Sequence, residues 1–324
     1  DRYTEYSKLL LKYYLSQGIA SGHHVLFASA EEDPINFIKG LPWIADNESD
    51  SLDGVADDGK LLEEKMTIAW RYKNMKKFES GIKSSNSNIV TSSVLHHKQI
   101  PVGSGLGNNQ KLESAFNHVF DLTKLIPQST IESAQMTLVD VNTWNDNEDP
   151  YNRLLSKIHQ VIDEKHFRSS VSPPAGVERN AMRIGIHSIA SPSWRSKSPH
   201  DLFRFFHALR GLLRISCSSA VITIPAHLYD SSLFIRRIEH MSDSVIELES
   251  FAGSPSAANS VYSATYHGLF HVYKLPTINS LLSSSAKLSI LSGGGGNNLG
   301  FKLRRKKFSI ETFHLPPEGG VGER

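Results

Sequence analysis

The chain has 324 residues, 39% hydrophobic and 21% charged, enough apolar matter to bury one large core or two small ones. With 35 Lys and Arg against 33 Asp and Glu the formal charge is only +2, so no strong global field draws it to nucleic acid. A single cysteine excludes an internal disulfide framework and a Cys-rich zinc site, and no apolar run approaches the ~20 residues of a membrane span. That cysteine, Cys217, stands in an apolar run and reads as a buried structural thiol, favouring a reducing compartment. The chain opens on Asp1 rather than methionine and so reads as a piece of a longer protein.

The first element is a helix. Leu9, Leu10, Leu11, Tyr13, Tyr14 and Leu15 give it a wide apolar face, and Gly18 is the expected stop. A short buried strand follows at 24–28, and the acidic residues Glu31, Glu32 and Asp33 lead into Pro34, which opens a second helix. Further strand-like runs lie at 66–72, 182–186, 220–224, 245–248, 269–272 and 308–313. Helical patterns at 152–162 and 201–215 separate some of them, the second carrying Leu202, Phe205, Phe206, Leu209, Leu212 and Leu213 at helical spacing. Continuous apolar strands alternating with amphipathic helices predict an α/β fold with a mostly parallel, helix-covered sheet.

Three segments do not fit that core. Residues 45–64 are strongly acidic, with eight Asp or Glu and a single Lys60; 80–112 are rich in Ser, Asn and Gly; and 283–300 contain four consecutive glycines. They read as long disordered surface insertions in one domain over 1–317, with 318–324 as a flexible tail.

The richest stretch is FKLRRKKFSIETFHLPP from Phe301, where Lys302, Arg304, Arg305, Lys306 and Lys307 precede a strand-like run. Five neighbouring cations cannot be buried unpaired, so they are expected to face solvent, a partner or a polyanion. Arg210, Arg214, Arg236 and Arg237 add positive charge on or after helices. The pairs His23–His24 and His96–His97 are adjacent, which points them to opposite sides of a strand and disfavours joint metal binding. The Gly103-Ser104-Gly105-Leu106-Gly107 run lacks a preceding strand and reads as a loop, and no P-loop pattern of glycines followed by Lys and Ser or Thr occurs.

The run from Phe301 resembles the C-terminal signature of the PAXNEB family, the fourth-subunit family of the Elongator complex. SGHHVLFASAEEDP from Ser21, MTIAWRYK from Met66, NAMRIGIHSIASPSW from Asn180, LRGLLRISCSSAVITIPAHL from Leu209 and YHGLFHVYKLP from Tyr266 follow the family's order. The resemblance implies a RecA-like fold in which the P-loop position falls on residues 1–7, DRYTEYS, without a glycine. Where related NTPases end a strand in a magnesium-side aspartate, this chain has His187, and imidazole is a poor magnesium ligand. Glu31 and Glu32 stand where a water-activating glutamate would follow the second strand, though a solvated acid pair at a helix start before Pro34 is the favoured reading.

The resemblance thus implies a chain with no catalytic activity, cofactor or metal of its own. Its implied partners are the fifth and sixth Elongator subunits in a hetero-hexameric ring, the larger Elongator subunits, and tRNA whose wobble uridine the complex modifies. Cytoplasm and nucleus are the implied locations, with no membrane. The basic block then matches a tRNA contact or an inter-subunit contact with a neighbour's anionic site. The competing reading is an active RecA-like ATPase whose composite interface sites regulate tRNA release.

Overall fold

The computed structural model describes residues 4–45, 117–145, 148–176, 179–229, 232–253, 263, 265–277, 281 and 299–312. In chain order its elements are α1 (Tyr6–Ala20), β1 (His24–Ser29), α2 (Pro34–Lys39), β2 (Pro42–Ile44), β3 (Phe120–Leu125), α3 (Gln128–Ser133), β4 (Met136–Asp140), α4 (Pro150–Glu164), β5 (Met182–His187), α5 (Pro199–Arg214), β6 (Ser218–Ile222), α6 (Ser232–Met241), β7 (Val245–Ser250), β8 (Gly268–Lys274), β9 (Leu299–Leu303) and β10 (Phe308–Thr312).

All six residues of β1 are buried, as a strand must be when both its faces are covered. Its alternation sorts the two sides. Val25 and Phe27 pack with Leu11 and Leu15 of α1 and Phe37 of α2, while Leu26 and Ala28 join Leu154 and Ile158 of α4 and Leu202 and Phe205 of α5. The four strands β4, β1, β5 and β6 lie side by side in that order, all parallel, forming the central helix-flanked sheet of an α/β fold. Gly185 of β5 lets α1 lie close against this sheet, since a Cβ there would stand 2.8 Å from a methyl of Leu15.

Helix starts follow the local chemistry. Asp33–Pro34, Asp149–Pro150 and Ser198–Pro199 each place a side-chain oxygen to accept from a first-turn N–H, with proline preset just inside the helix. The end of α1 differs from the sequence expectation. Gly18 lies inside the helix, where a Cβ would come within 2.8 Å of the Arg183 side chain. The stop is Gly22, at φ +69°, with the His23 N–H donating to the Gly18 carbonyl and the Gly22 N–H to that of Ile19.

The later strands are present but pair differently from the first. β7, β8, β9 and β10 make a separate antiparallel sheet, each strand bonded to the next along the chain. Apolar runs alone do not separate the two kinds of pairing. Leu299 and Gly300, expected to end a glycine-rich insertion, begin β9 instead. Leu248, Phe270, Val272 and Phe301 form the core of this sheet, against which Tyr6 and Leu10 of α1 pack. Cys217 is half-buried, not enclosed. The run at 66–72, the insertions at 45–64 (beyond Ala45) and 80–112, residues 283–298, His96–His97 and the tail at 318–324 lie outside the described residues.

Candidate functional site

From β1 the chain runs to β4 on one side, then crosses to β5 and β6 on the other, so the sheet order changes direction between β1 and β5. In open α/β sheets ligands bind outside the carboxyl ends of the strands at such a switch point. Register places Ser29 of β1 level with His187 of β5 and with Asp140 of β4, so the crevice opens above Ser29 and His187.

Side chains and backbone of the chain itself occupy that crevice. The N–H groups of Glu31 and Glu32 both donate to Ser29 Oγ, at 3.2 and 3.1 Å. After β5 the Ser188 N–H donates to Thr223 Oγ1 at 2.8 Å and the Ile189 N–H to the Thr223 carbonyl at 2.9 Å. These backbone donors, which in a phosphate site would point at the ligand, are consumed internally. Ser188 and Ala190 hold left-handed φ values of 49° and 69° in the same loop, a conformation that costs about 1–3 kcal/mol per residue and persists only where the surroundings dictate it.

Charge in the crevice is also answered locally. Lys8 Nζ lies 2.7 Å from Glu32 and 3.4 Å from Glu5, and its ammonium stands 5.9 Å from the centroid of the Phe37 ring. The opposing carboxylates outweigh the effect of burial and leave the Lys8 pKa raised. His187 is 8% exposed, with Nδ1 at 3.4 Å from Ser29 Oγ and its ring 5.5 Å from that of Phe37. Burial pushes its pKa down, against the pull of Glu31, so the imidazole is held neutral. Of the predicted acidic pair, Glu32 is thus ion-paired and Glu31 is exposed.

The predicted basic cluster falls on the β9–β10 hairpin, which divides it. Lys302 Nζ reaches Glu311 on the neighbouring strand at 2.7 Å and stands 4.5 Å from the centre of the Tyr266 ring. The Lys302 hydrogen bond holds the Glu311 carboxyl below its usual range. The turn spans Arg304 to Lys307, closed by the Arg304 N–H on the Lys307 carbonyl at 2.8 Å, and the Lys306 carbonyl accepts from the Leu122 N–H of β3 at 2.8 Å. Lys306 is half-buried, whereas Arg304, Arg305 and Lys307 are exposed. Three of the five cations thus face solvent, and Lys302 faces a carboxylate of its own sheet. The helix arginines are separate from this hairpin: Arg210 and Arg214 share Asp243, at 2.7 and 3.8 Å, and Arg237 lies over the Phe203 ring.

The family described as PAXNEB protein matches residues 1–323. This chain belongs to the PAXNEB family. Relatives include Elongator complex protein 4 of Xenopus laevis, 35% identical over 98% of this chain and 74% of the relative. The human protein of the same name is 35% identical over 98% of this chain and 71% of its own length, and that of Schizosaccharomyces pombe 22% identical over 97% and 77%.

In this PAXNEB chain the quoted sequence blocks that fall within the described residues supply β1 and its acidic exit, β5 and its strained loop, the end of α5 with β6, strand β8, and most of the β9–β10 hairpin. Lys8 was not anticipated as a site residue. It lies 24 positions from Glu32 on a different element, and no sequence spacing signals that meeting. The N–H acceptor Thr223 was equally hidden.

Proposed function

We propose that this chain is a non-catalytic subunit of the Elongator complex. In this reading it joins the fifth and sixth subunits in a hetero-hexameric RecA-like ring that binds tRNA, docks on the larger subunits and supports modification of the wobble uridine. Support comes from relatives named Elongator complex protein 4 that align over nearly the whole chain. The observation that supports the non-catalytic half is at the switch-point crevice, where Lys8 pairs with Glu32 and the buried His187 packs beside Phe37.

The exposed cations of the hairpin belong to the same proposal as the surface that meets an anion of the assembly, either tRNA phosphate or an acidic site on a neighbour. Cytoplasm and nucleus are the proposed locations.

Two measurements test the reading. Co-purification with the fifth and sixth subunits, followed by native mass determination, is expected to give a hexamer with two copies of each chain; a chain that stays apart from both overturns it. Titration of the single chain with magnesium ATP is expected to show no saturable binding. Saturable binding abolished by substitution within residues 1–7 would establish the competing ATPase reading instead.

A further inference from the structure

An open cleft of about 500 Å³ lies beside the hairpin turn. Its walls are Leu9 of α1, Leu122 and Leu125 of β3 and Leu303 of β9, and its rim carries Lys12, Arg304 and Arg305. Leu125 is 64% exposed, a large apolar side chain left in water at the mouth. The charged residues that line the cleft are all cations. No carboxylate of the described residues lies within 4 Å of Lys12, Arg304 or Arg305. Burial and the neighbouring Lys8 push the Lys12 pKa down against the pull of Glu32 and Glu5, and its ammonium lies 5.3 Å from the centre of the Phe37 ring. Two acids on the neighbouring strands are engaged elsewhere: Asp121 accepts from the Thr123 backbone N–H and hydroxyl, at 2.8 and 2.7 Å, and Glu311, which also feels Arg304, is paired with Lys302.

The cleft is also held in shape. The Leu122 N–H on the Lys306 carbonyl ties β3 to the turn, and the Phe308 N–H donates to Tyr13 Oη at 3.3 Å, tying α1 to β10. A ligand therefore meets walls fixed by three elements rather than a loose loop, which lowers the ordering cost of binding.

We propose that this cleft docks an acidic peptide segment of a partner protein, with an apolar side chain seated among Leu9, Leu122, Leu125 and Leu303 and flanking carboxylates on Lys12, Arg304 and Arg305. A leucine-walled floor distinguishes this occupant from nucleic acid. A polyanion needs phosphate donors along a backbone track and, for single strands, aromatic stacking platforms, neither of which these leucines supply. Arginine forks around an apolar anchor are instead the composition of protein interfaces, where a central apolar contact carries affinity and rim charges set register and specificity. The proposal deepens the reading of the hairpin as an anion-facing surface by naming the partner's chemistry.

Fluorescence anisotropy of the full chain with fluorescein-labelled Asp-Glu-Leu-Phe-Asp-Glu, with an oligouridylate of similar charge as the rival, tests it. The peptide is expected to bind saturably. Leu125→Asp, and separately Arg304→Glu with Arg305→Glu, should each weaken it about tenfold. Replacing the peptide's Leu and Phe by Ser should do the same. Leu125 is largely in solvent, so its substitution does not open the core; Leu125→Ser and a melting curve guard against a misfolded variant. Leu125→Asp and Leu125→Ser that leave peptide affinity unchanged, or an oligouridylate that binds more tightly and responds only to the arginines, would overturn the proposal in favour of a phosphate surface. Neither probe contains an Elongator subunit, so this outcome is separate from whether the chain assembles into a ring.

Discussion

The switch-point crevice and the hairpin face both place charged side chains beside apolar walls, yet they treat charge in opposite ways. In the crevice Lys8 meets Glu32, the loop N–H groups meet Ser29 and Thr223, and His187 stays neutral through burial. On the hairpin only part of the charge is answered: Lys302 has Glu311, while Arg304, Arg305 and Lys307 remain in solvent. The difference teaches that an α/β sheet can keep the strand geometry of a ligand crevice and still convert it into core. The exposed guanidinium groups sit instead on a turn of the second sheet, where no desolvation is required to keep them available.

If the crevice is core, removing its packing should cost what core residues cost. Phe37 stacks on Phe27 at 4.3 Å between ring centres and is fully buried. Phe37→Ala is expected to lower stability by about 3–5 kcal/mol in urea unfolding. A loss under about 1 kcal/mol would mean that the crevice is loosely filled and the contrast fails.

Next in size is the helix-to-sheet contact under the same crevice. Gly185→Ala places a Cβ 2.8 Å from Leu15 and 3.3 Å from Leu11, so about 1–3 kcal/mol of destabilisation is expected from forced repacking. An unchanged midpoint would show that α1 can ride outward freely.

The pH response sharpens the comparison further, because among the described residues the imidazoles whose pKa burial lowers lie at the parallel sheet and none on the hairpin. Burial lowers the pKa of His187, and likewise of His23 and His24 at the other end of β1, below the ordinary 6.5. The unfolded chain then binds more protons than the folded one, so stability is full above 6.5 and is lost as pH falls through that value toward the folded ones. Melting temperatures at about pH 7.5 and about pH 5.5 should differ accordingly, and His187→Asn should reduce the gap.

Smallest is the expected effect on folding at the hairpin. Arg304→Ala with Arg305→Ala should change stability by no more than ~0.5 kcal/mol, since neither guanidinium has a carboxylate partner among the described residues. If tRNA is the partner, the double variant should also flatten the salt dependence of binding, by ~0.7 in log–log slope per lost phosphate contact on single strands. A large drop in melting temperature would make these arginines structural and erase the distinction between the two regions.

Much of the first half of this architecture is legible in the sequence because burial on both faces writes continuous apolar runs, as in β1 and β5, and one-sided burial writes helical spacing, as in α5. Half-exposed strands such as Phe120–Leu125 and Met136–Asp140 lack the continuous apolar run that would make them stand out from loop sequence. Pairing direction is equally silent, which is why the antiparallel sheet was read together with the parallel one. Gly18 misled because a glycine at a helix end and a glycine against a neighbouring side chain look alike until Arg183 is in place. At the hairpin the sequence reveals five cations, but only the facing strand decides which one Glu311 neutralises. The meeting of Lys8 with Glu32 depends wholly on tertiary structure.

The junction of α1 with the second sheet bears on the order in which the molecule is made. Tyr13 and Phe308 are 295 positions apart and share a hydrogen bond, and the rings of Tyr6 and Phe301 meet edge to face at 4.7 Å. During synthesis the first helix therefore leaves the ribosome long before the strands that cover Tyr6 and Leu10 exist, and that apolar flank must wait while the residues between them are made. A chain cut short before Phe301 lacks the ring that meets Tyr6, so incomplete copies advertise themselves to chaperones and proteases at a helix far from the break.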